Sequence, residues 1–319
     1  MTTTLGKLRR RLLGISAAET TFSRRGFHSV DDAARSALEQ VGREFVRGYQ
    51  AALEENDLAQ VVARLELVAP VSRGFAYEGA AMAFALIDGL IPWRRSRIGE
   101  FLNGPAARHR YMVHVGVGWA MARLPRAGRL DSSPPLDPLL RWLVFDGFGF
   151  HQAYFHPRPV VDHHQASRFD GSYAARAVDQ GIGRALWFVN GADPERIATV
   201  TASFPSGRRP DLWSGIGLAA TYAGGVGQAG LEALRDAAGP YLPHAAQGAA
   251  FAAKARLHAD NPTPHTDHST RILCGISARR AAAITDQALQ GLPATATETV
   301  PRYELWRQRI QHRFAPLEV

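Results

Sequence analysis

Two histidines and two carboxylates are the side chains on which acid/base chemistry would rest. His114, in YMVHVGVG (residues 111–118), and His244, in YLPHAAQG (residues 241–248), share one Tyr-x-x-His-x-x-x-Gly spacing. Imidazole is the group whose ordinary pKa lies nearest neutrality. Glu78, in RGFAYEGAAMA, and Asp146, in DGFGFHQAYF, sit in apolar or aromatic-rich segments. Burial there raises a carboxyl pKa and suits it to exchange protons. Plainer roles stay open for all four: histidines bonded to backbone carbonyls, and carboxylates paired with Arg73 or Arg209. Arg73, Tyr77, Trp119, Phe148, His151, Arg209, Asp211 and Trp213 are the accompanying candidates for substrate binding. Aromatic rings lining a cleft would suit a long, flat, unsaturated ligand better than a polar one, although most such rings simply fill a core.

Other motifs lack the context their chemistry needs. GVGQAG (residues 225–230) fits the dinucleotide pattern GxGxxG, but WSGIGLAATYAG before it reads as small-residue helix or loop, not strand. Glycines ending a helix are the expectation. His151 and His156, His163 and His164, and His265 and His268 form clusters without the helical i, i+4 pairing of HExxH, so solvated loop histidines are expected and no metal site. Cys274 is the single cysteine, which excludes a disulfide framework, suits a reducing cytoplasm and is expected as a small buried thiol. No GxSxG elbow occurs and no cofactor is implied.

The elements that must hold these residues are helical. With 319 residues, 46% hydrophobic and 21% charged, the chain can bury a core as one or two domains. Helical periodicity runs from Val30 to Leu67, with Ser29 as the expected N-cap. Gly74 to Ile87 and Tyr111 to Leu124 carry small residues at three- and four-residue spacing, which lets helix backbones approach closely. Ala127 to Pro138 reads as a linker and His156 to Tyr173 as an exposed connection. Strand-like alternation is scarce, so the fold class is mainly α. Leu212 to Leu231 is uncharged but holds six glycines, too many for a membrane span. The N-terminus MTTTLGKLRRRLLGIS is basic with a very short apolar stretch, expected as a tail or amphipathic turn and not a signal peptide. The net charge of +8 is spread over scattered arginine pairs, which excludes a nucleic-acid stripe and fits an acidic partner or an anionic membrane surface.

The second half of the chain echoes the first. Gly42 and Arg43 match Gly183 and Arg184; Pro70, Arg73, Gly79 and Ala83 match Pro205, Arg209, Gly215 and Ala219; Gly104 and Pro105 match Gly239 and Pro240. The two Tyr-x-x-His-x-x-x-Gly segments follow in order. An internally duplicated helical bundle with pseudo-two-fold symmetry is therefore expected. It would comprise a tail (1–29), a first repeat (30–155), a connecting loop (156–173), a second repeat (174–290) and a C-terminal extension (291–319). Positions where the copies differ, such as Glu78 against Ser214 and Asp146 against Cys274, are where chemistry is sought.

Set side by side, RGFAYEGAAMA, DGFGFHQAYF, GRRPDLWSGIGLAATYAGG and QGAAFAAKAR resemble, over nearly the whole chain, an uncharacterised family of enediyne biosynthesis proteins encoded in actinobacterial polyketide gene clusters. The resemblance implies an accessory role in processing, carrying or protecting a linear polyene or polyyne. The implied partners are a hydrophobic conjugated intermediate and the polyketide synthase or another protein of the cassette. It supplies no catalytic residues. Three functions follow as alternatives: an enzyme acting on the intermediate, a non-catalytic binding or scaffold protein, and a peripheral subunit on a membrane partner.

Overall fold

Glycines two residues apart on a helix point about 200° from each other, so a Gly-x-Gly step presents bare backbone to neighbours on both flanks. This device organises the long apolar helices. The computed structural model describes residues 4–90, 96–124, 136–293 and 300–315; among them all regular structure is helical and no strand occurs. The chain groups into two compact units, Met1–Gly26 with Glu39–Phe148, and Phe27–Leu38 with Gly149–Val319.

The first unit contains α1 (Thr4–Leu13), α2 (Phe22–Arg25), most of α3 (Asp32–Glu54), α4 (Leu58–Glu66), α5 (Pro70–Leu90), α6 (Arg97–Asn103), α7 (Arg110–Arg123) and the start of α8 (Trp142–Phe155). A Cβ at Gly48 would strike the carbonyl oxygen of Ala76, and one at Gly79 that of Phe45. Each oxygen belongs to the residue three before the opposite glycine, so α3 and α5 cross with glycine facing glycine. Gly118 against Val144 and Gly147 against Val115 repeat this arrangement for α7 and α8, while Gly116 lies against the Glu78 carbonyl of α5. Tyr49, Tyr77, Phe84, Phe101 and Val113 fill the core around these crossings.

The second unit continues through α9 (Tyr173–Val189), α10 (Pro194–Ser203), α11 (Arg209–Ala223), α12 (Gln228–Ala238), α13 (Leu242–His258), α14 (Pro264–Leu273), α15 (Ala278–Leu289) and α16 (Arg302–Phe314). Gly183 and Gly215 face the carbonyls of Leu212 and Gln180, and Gly217 and Gly248 those of Ala245 and Ser214. Gly48 and Gly183 thus have the same packing role, each against a carbonyl of a crossing helix, and so do Gly116 and Gly248. Gly42 sits against Thr20 instead.

Several local expectations change. Asp31 caps α3, its Oδ1 accepting from the backbone N–H groups of Ala33 (2.6 Å) and Ala34 (2.9 Å). A short carboxylate directly before the helix reaches these donors better than Ser29 two residues earlier. The helix expected through Leu67 breaks after Glu54 and restarts at Leu58, where Asp57 accepts from the Ala59 N–H at 2.9 Å. Residues expected as a tail include α1, held by Gly6 against the Glu54 backbone and by Arg9 on Asn56 at 2.8 Å. Residues expected as a C-terminal extension include α16, whose Tyr303, Trp306, Arg307 and Ile310 are buried in the second unit. The connection at 156–173 contains the π-helical turn Arg158–Asp162, which buries Val160 and Val161. The expected linker at 127–138 lies, apart from residues 136–138, outside the described residues. No helix among the described residues is long and apolar enough to cross a membrane.

Candidate functional site

The first-unit candidates are held mainly by their own scaffold. His114 is wholly buried on α7. Its Nδ1 lies 2.7 Å from the Arg110 carbonyl, to which it can only donate, and its Nε2 accepts from the Asp137 N–H at 3.2 Å. Those bonds require the neutral Nδ1–H tautomer, and burial drives the pKa down to about 4 against opposing help from the Arg110 carbonyl and Asp137. Acid/base exchange at His114 would require breaking one of these bonds. Glu78 and Asp146 are buried on α5 and α8. Tyr77 stacks on His109 at 4.1 Å and donates to Glu66 at 2.7 Å; burial first, then Glu66, pushes its pKa up. Trp119 packs on Phe45 at 4.5 Å, and Phe148 is buried near the end of the unit.

Arg73 and Arg209 perform the same task in different units. Arg73 donates from Nε to the carbonyl five residues before it (Val68, 3.2 Å) and from Nη2 to that seven before it (Glu66, 2.9 Å). Arg209 does the same to Phe204 and Ala202, both at 2.8 Å. Each thereby satisfies free carbonyls at the end of the preceding helix.

The second unit brings Asp211 and His244 to one place, in a polar network the sequence disclosed only in part. Arg307 of α16 is wholly buried and binds Asp211 at 2.7 Å and Glu304 at 3.2 Å. Arg176 of α9 reaches the same two carboxylates, both at 2.9 Å. Tyr173 donates to Glu304 at 2.8 Å, and burial holds its pKa well above the ordinary value. Burial alone would lower the Arg307 pKa, but Asp211, Tyr173 and Glu304 outweigh it and raise it. Gln247 of α13 accepts at Oε1 from Arg307 Nε (3.2 Å), Ser214 Oγ (2.9 Å) and Gln311 Nε2 (3.3 Å). Because a guanidinium Nε only donates, the amide orientation is fixed.

Three buried polar atoms here have no hydrogen-bond partner among the described residues: Arg307 Nη2, Gln247 Nε2 and His244 Nδ1. Burial first, and then the Arg307 charge, lowers the His244 pKa, so the ring is neutral at neutral pH. The network reaches solvent on one side, since the Arg176 side chain is 40% exposed and His244 is half-buried. Among the other candidates, Trp213 is buried on α11, and His151 lies beside Phe155 at 4.7 Å. Arg176, Glu304 and Arg307 escaped the sequence reading because Arg307 and Asp211 lie almost a hundred residues apart. The one local signal was an i, i+3 Glu-Arg pair on a helix that otherwise looks solvated.

The histidines expected in solvated loops are placed otherwise in part: His151 is buried on α8, and His265 and His268 lie on α14, with His265 Nε2 2.8 Å from the Ala220 carbonyl. Cys274 donates to the Ala246 carbonyl at 3.3 Å, and burial pushes its thiol pKa up, away from nucleophilic use. Among the described residues no group of three or more histidine, cysteine or acidic side chains could hold a metal. Gly224 and Gly225 follow the end of α11 at φ 76° and 113° and have no strand before them, so the GxGxxG match is a helix end.

A family model described as a protein of unknown function (DUF1702) matches residues 4–314, and the chain belongs to that family. No curated protein and no solved structure matches it.

Proposed function

We propose that this protein is a cytoplasmic accessory factor of enediyne natural-product biosynthesis, which takes a linear conjugated polyketide intermediate at the polar network of its second unit. The observation that supports this site over the other candidates is the set of unsatisfied buried polar atoms on Arg307, Gln247 and His244. The resemblance of the apolar glycine-rich motifs supplies the pathway. His244, neutral and unbonded at Nδ1, is the acid/base candidate. The matched tasks of Arg73 and Arg209, and the shared glycine crossings, further support descent of the two units from one duplicated helical set. At the glycine-defined register Phe75 stands where the second unit has Asp211, so the first unit has no carboxylate at that position.

The test is to incubate the purified protein with the synthase-derived polyene mixture. Wild type should change the product profile, and His244→Gln should slow that change by about 100-fold, as for loss of a general acid/base group. An unchanged profile with a stoichiometric complex would make the protein a carrier or scaffold. Absence of any complex would overturn the proposal.

A second reading, peripheral attachment to an anionic bilayer, draws on α1. This helix is inverted: Gly6 and Arg9 face the protein, while Leu5, Leu8 and Leu12 are 43%, 52% and 71% exposed along one stripe. Exposed Lys7 and Arg11 flank that stripe. Apolar side chains bordered by basic ones suit the headgroup boundary of anionic lipid. The protein should sediment with phosphatidylserine-containing vesicles but not with phosphatidylcholine alone, and Leu8→Gln/Leu12→Gln should lower the bound fraction at least about tenfold. Equal behaviour toward both vesicle types would remove this reading.

A further inference from the structure

We propose that Arg307 Nη2 and Gln247 Nε2 form a clamp for a single uncharged carbonyl oxygen, at the acyl or aldehyde end of a conjugated chain. This rests on the reading that the second unit binds the intermediate, and it names the chemical group recognised there. Both donors belong to wholly buried side chains. The Arg307 plane is fixed by Asp211, Glu304 and Tyr173 at Nη1 and by Gln247 at Nε, so Nη2 cannot turn toward another acceptor without breaking these four contacts. Gln247 is fixed through the three donors on its oxygen, which leaves its NH2 group to point elsewhere. A buried donor left without an acceptor costs about 1–3 kcal/mol, and these two stand on groups already joined by the 3.2 Å bond from Arg307 Nε to Gln247 Oε1, so one oxygen between them would serve both.

Charge balance selects the kind of oxygen. Arg176 and Arg307 are offset by Asp211 and Glu304. A carboxylate or phosphate arriving at Nη2 would add an uncompensated buried negative charge, whereas a carbonyl oxygen adds none. His244 stands one helical turn before Gln247 on α13 and therefore on the same face. Its ring faces the charges of Arg307, Asp211, Glu304 and Arg176, and its Nδ1 is free to meet the atoms next to the carbonyl. His244 and Arg176 form the part-exposed side of this site.

The test uses three probes of one length: octa-2,4,6-trienal, octa-2,4,6-trienoate and octa-2,4,6-triene, titrated into the full-length protein. The trienal should bind at least about tenfold more tightly than the acid or the hydrocarbon, the worth of one or two hydrogen bonds. Its absorption band should move to longer wavelength, because donors on a conjugated carbonyl stabilise the more polar excited state. Gln247→Glu keeps the oxygen used by Ser214 and Arg307 but deletes the donor, and should abolish the band shift and weaken trienal binding about tenfold. If that variant does not fold, the ranking of the probes on wild type decides alone. Equal, unshifted binding of trienal and triene would leave polyene binding intact and overturn the clamp, meaning that a buried water satisfies these donors. Tightest binding of trienoate would overturn it in favour of an anion site. No binding of any probe would overturn both the clamp and the reading beneath it.

Discussion

Replacing Arg307 by Met is expected to lower the unfolding free energy by about 3–5 kcal/mol, the usual consequence of removing one partner from a buried ion pair. Asp211 and Glu304 are 1% and 3% exposed. Without Arg307 the cation they share among the described residues is Arg176, whose side chain is 40% exposed and whose attraction is partly screened. The Gln247 oxygen loses one donor as well. Chemical denaturation followed by circular dichroism measures the loss. Adding Asp211→Asn and Glu304→Gln to the Met variant should recover most of it, because the uncompensated charges are then gone. A loss below about 1 kcal/mol would mean that the guanidinium is not the hub of the network.

The second large effect is expected at the helix crossings. A methyl group at Gly248 would press on the Ser214 carbonyl, and one at Gly217 on that of Ala245. Neither oxygen is the end of a flexible side chain, so α11 and α13 must move apart as rigid rods. Gly248→Ala should therefore destabilise by about 3 kcal/mol, the upper part of the range for overpacked cores, even though alanine favours the helix itself. Once the helices have separated, the second methyl meets less resistance. Gly217→Ala/Gly248→Ala should then cost clearly less than the sum of the single variants. Gly207, with nothing near the position of an added Cβ, is the control and should tolerate alanine within about 0.5 kcal/mol. Additive losses at Gly217 and Gly248 would contradict the reciprocal crossing.

The helical class and the close-packed glycine faces were legible because periodicity and residue size are local properties. Arg73 and Arg209 make the same pair of backbone contacts, and that spacing serves the scaffold: both tie off the helix before them. His114 likewise has both nitrogens bonded to backbone, one of the alternatives its sequence context left open. What periodicity could not supply was partnership across distance. Asp211 and His244 stood among the candidates without a reason to meet. The reason is α16, whose mixture of arginine, glutamate and aromatic residues reads as a surface helix until its partners on α9, α11 and α13 are known. The inversion of α1 was hidden for a related cause, since leucines normally face the core and here a buried glycine permits backbone contact that a leucine would prevent.

The most direct measurement is a crystal structure of the protein grown with octa-2,4,6-trienal. Density for the aldehyde oxygen about 3 Å from both Arg307 Nη2 and Gln247 Nε2, with the polyene leaving past His244, is the expected result. A water molecule bonded to the same nitrogens, with the trienal bound elsewhere or not at all, would contradict the assignment of this network as the place where the protein works.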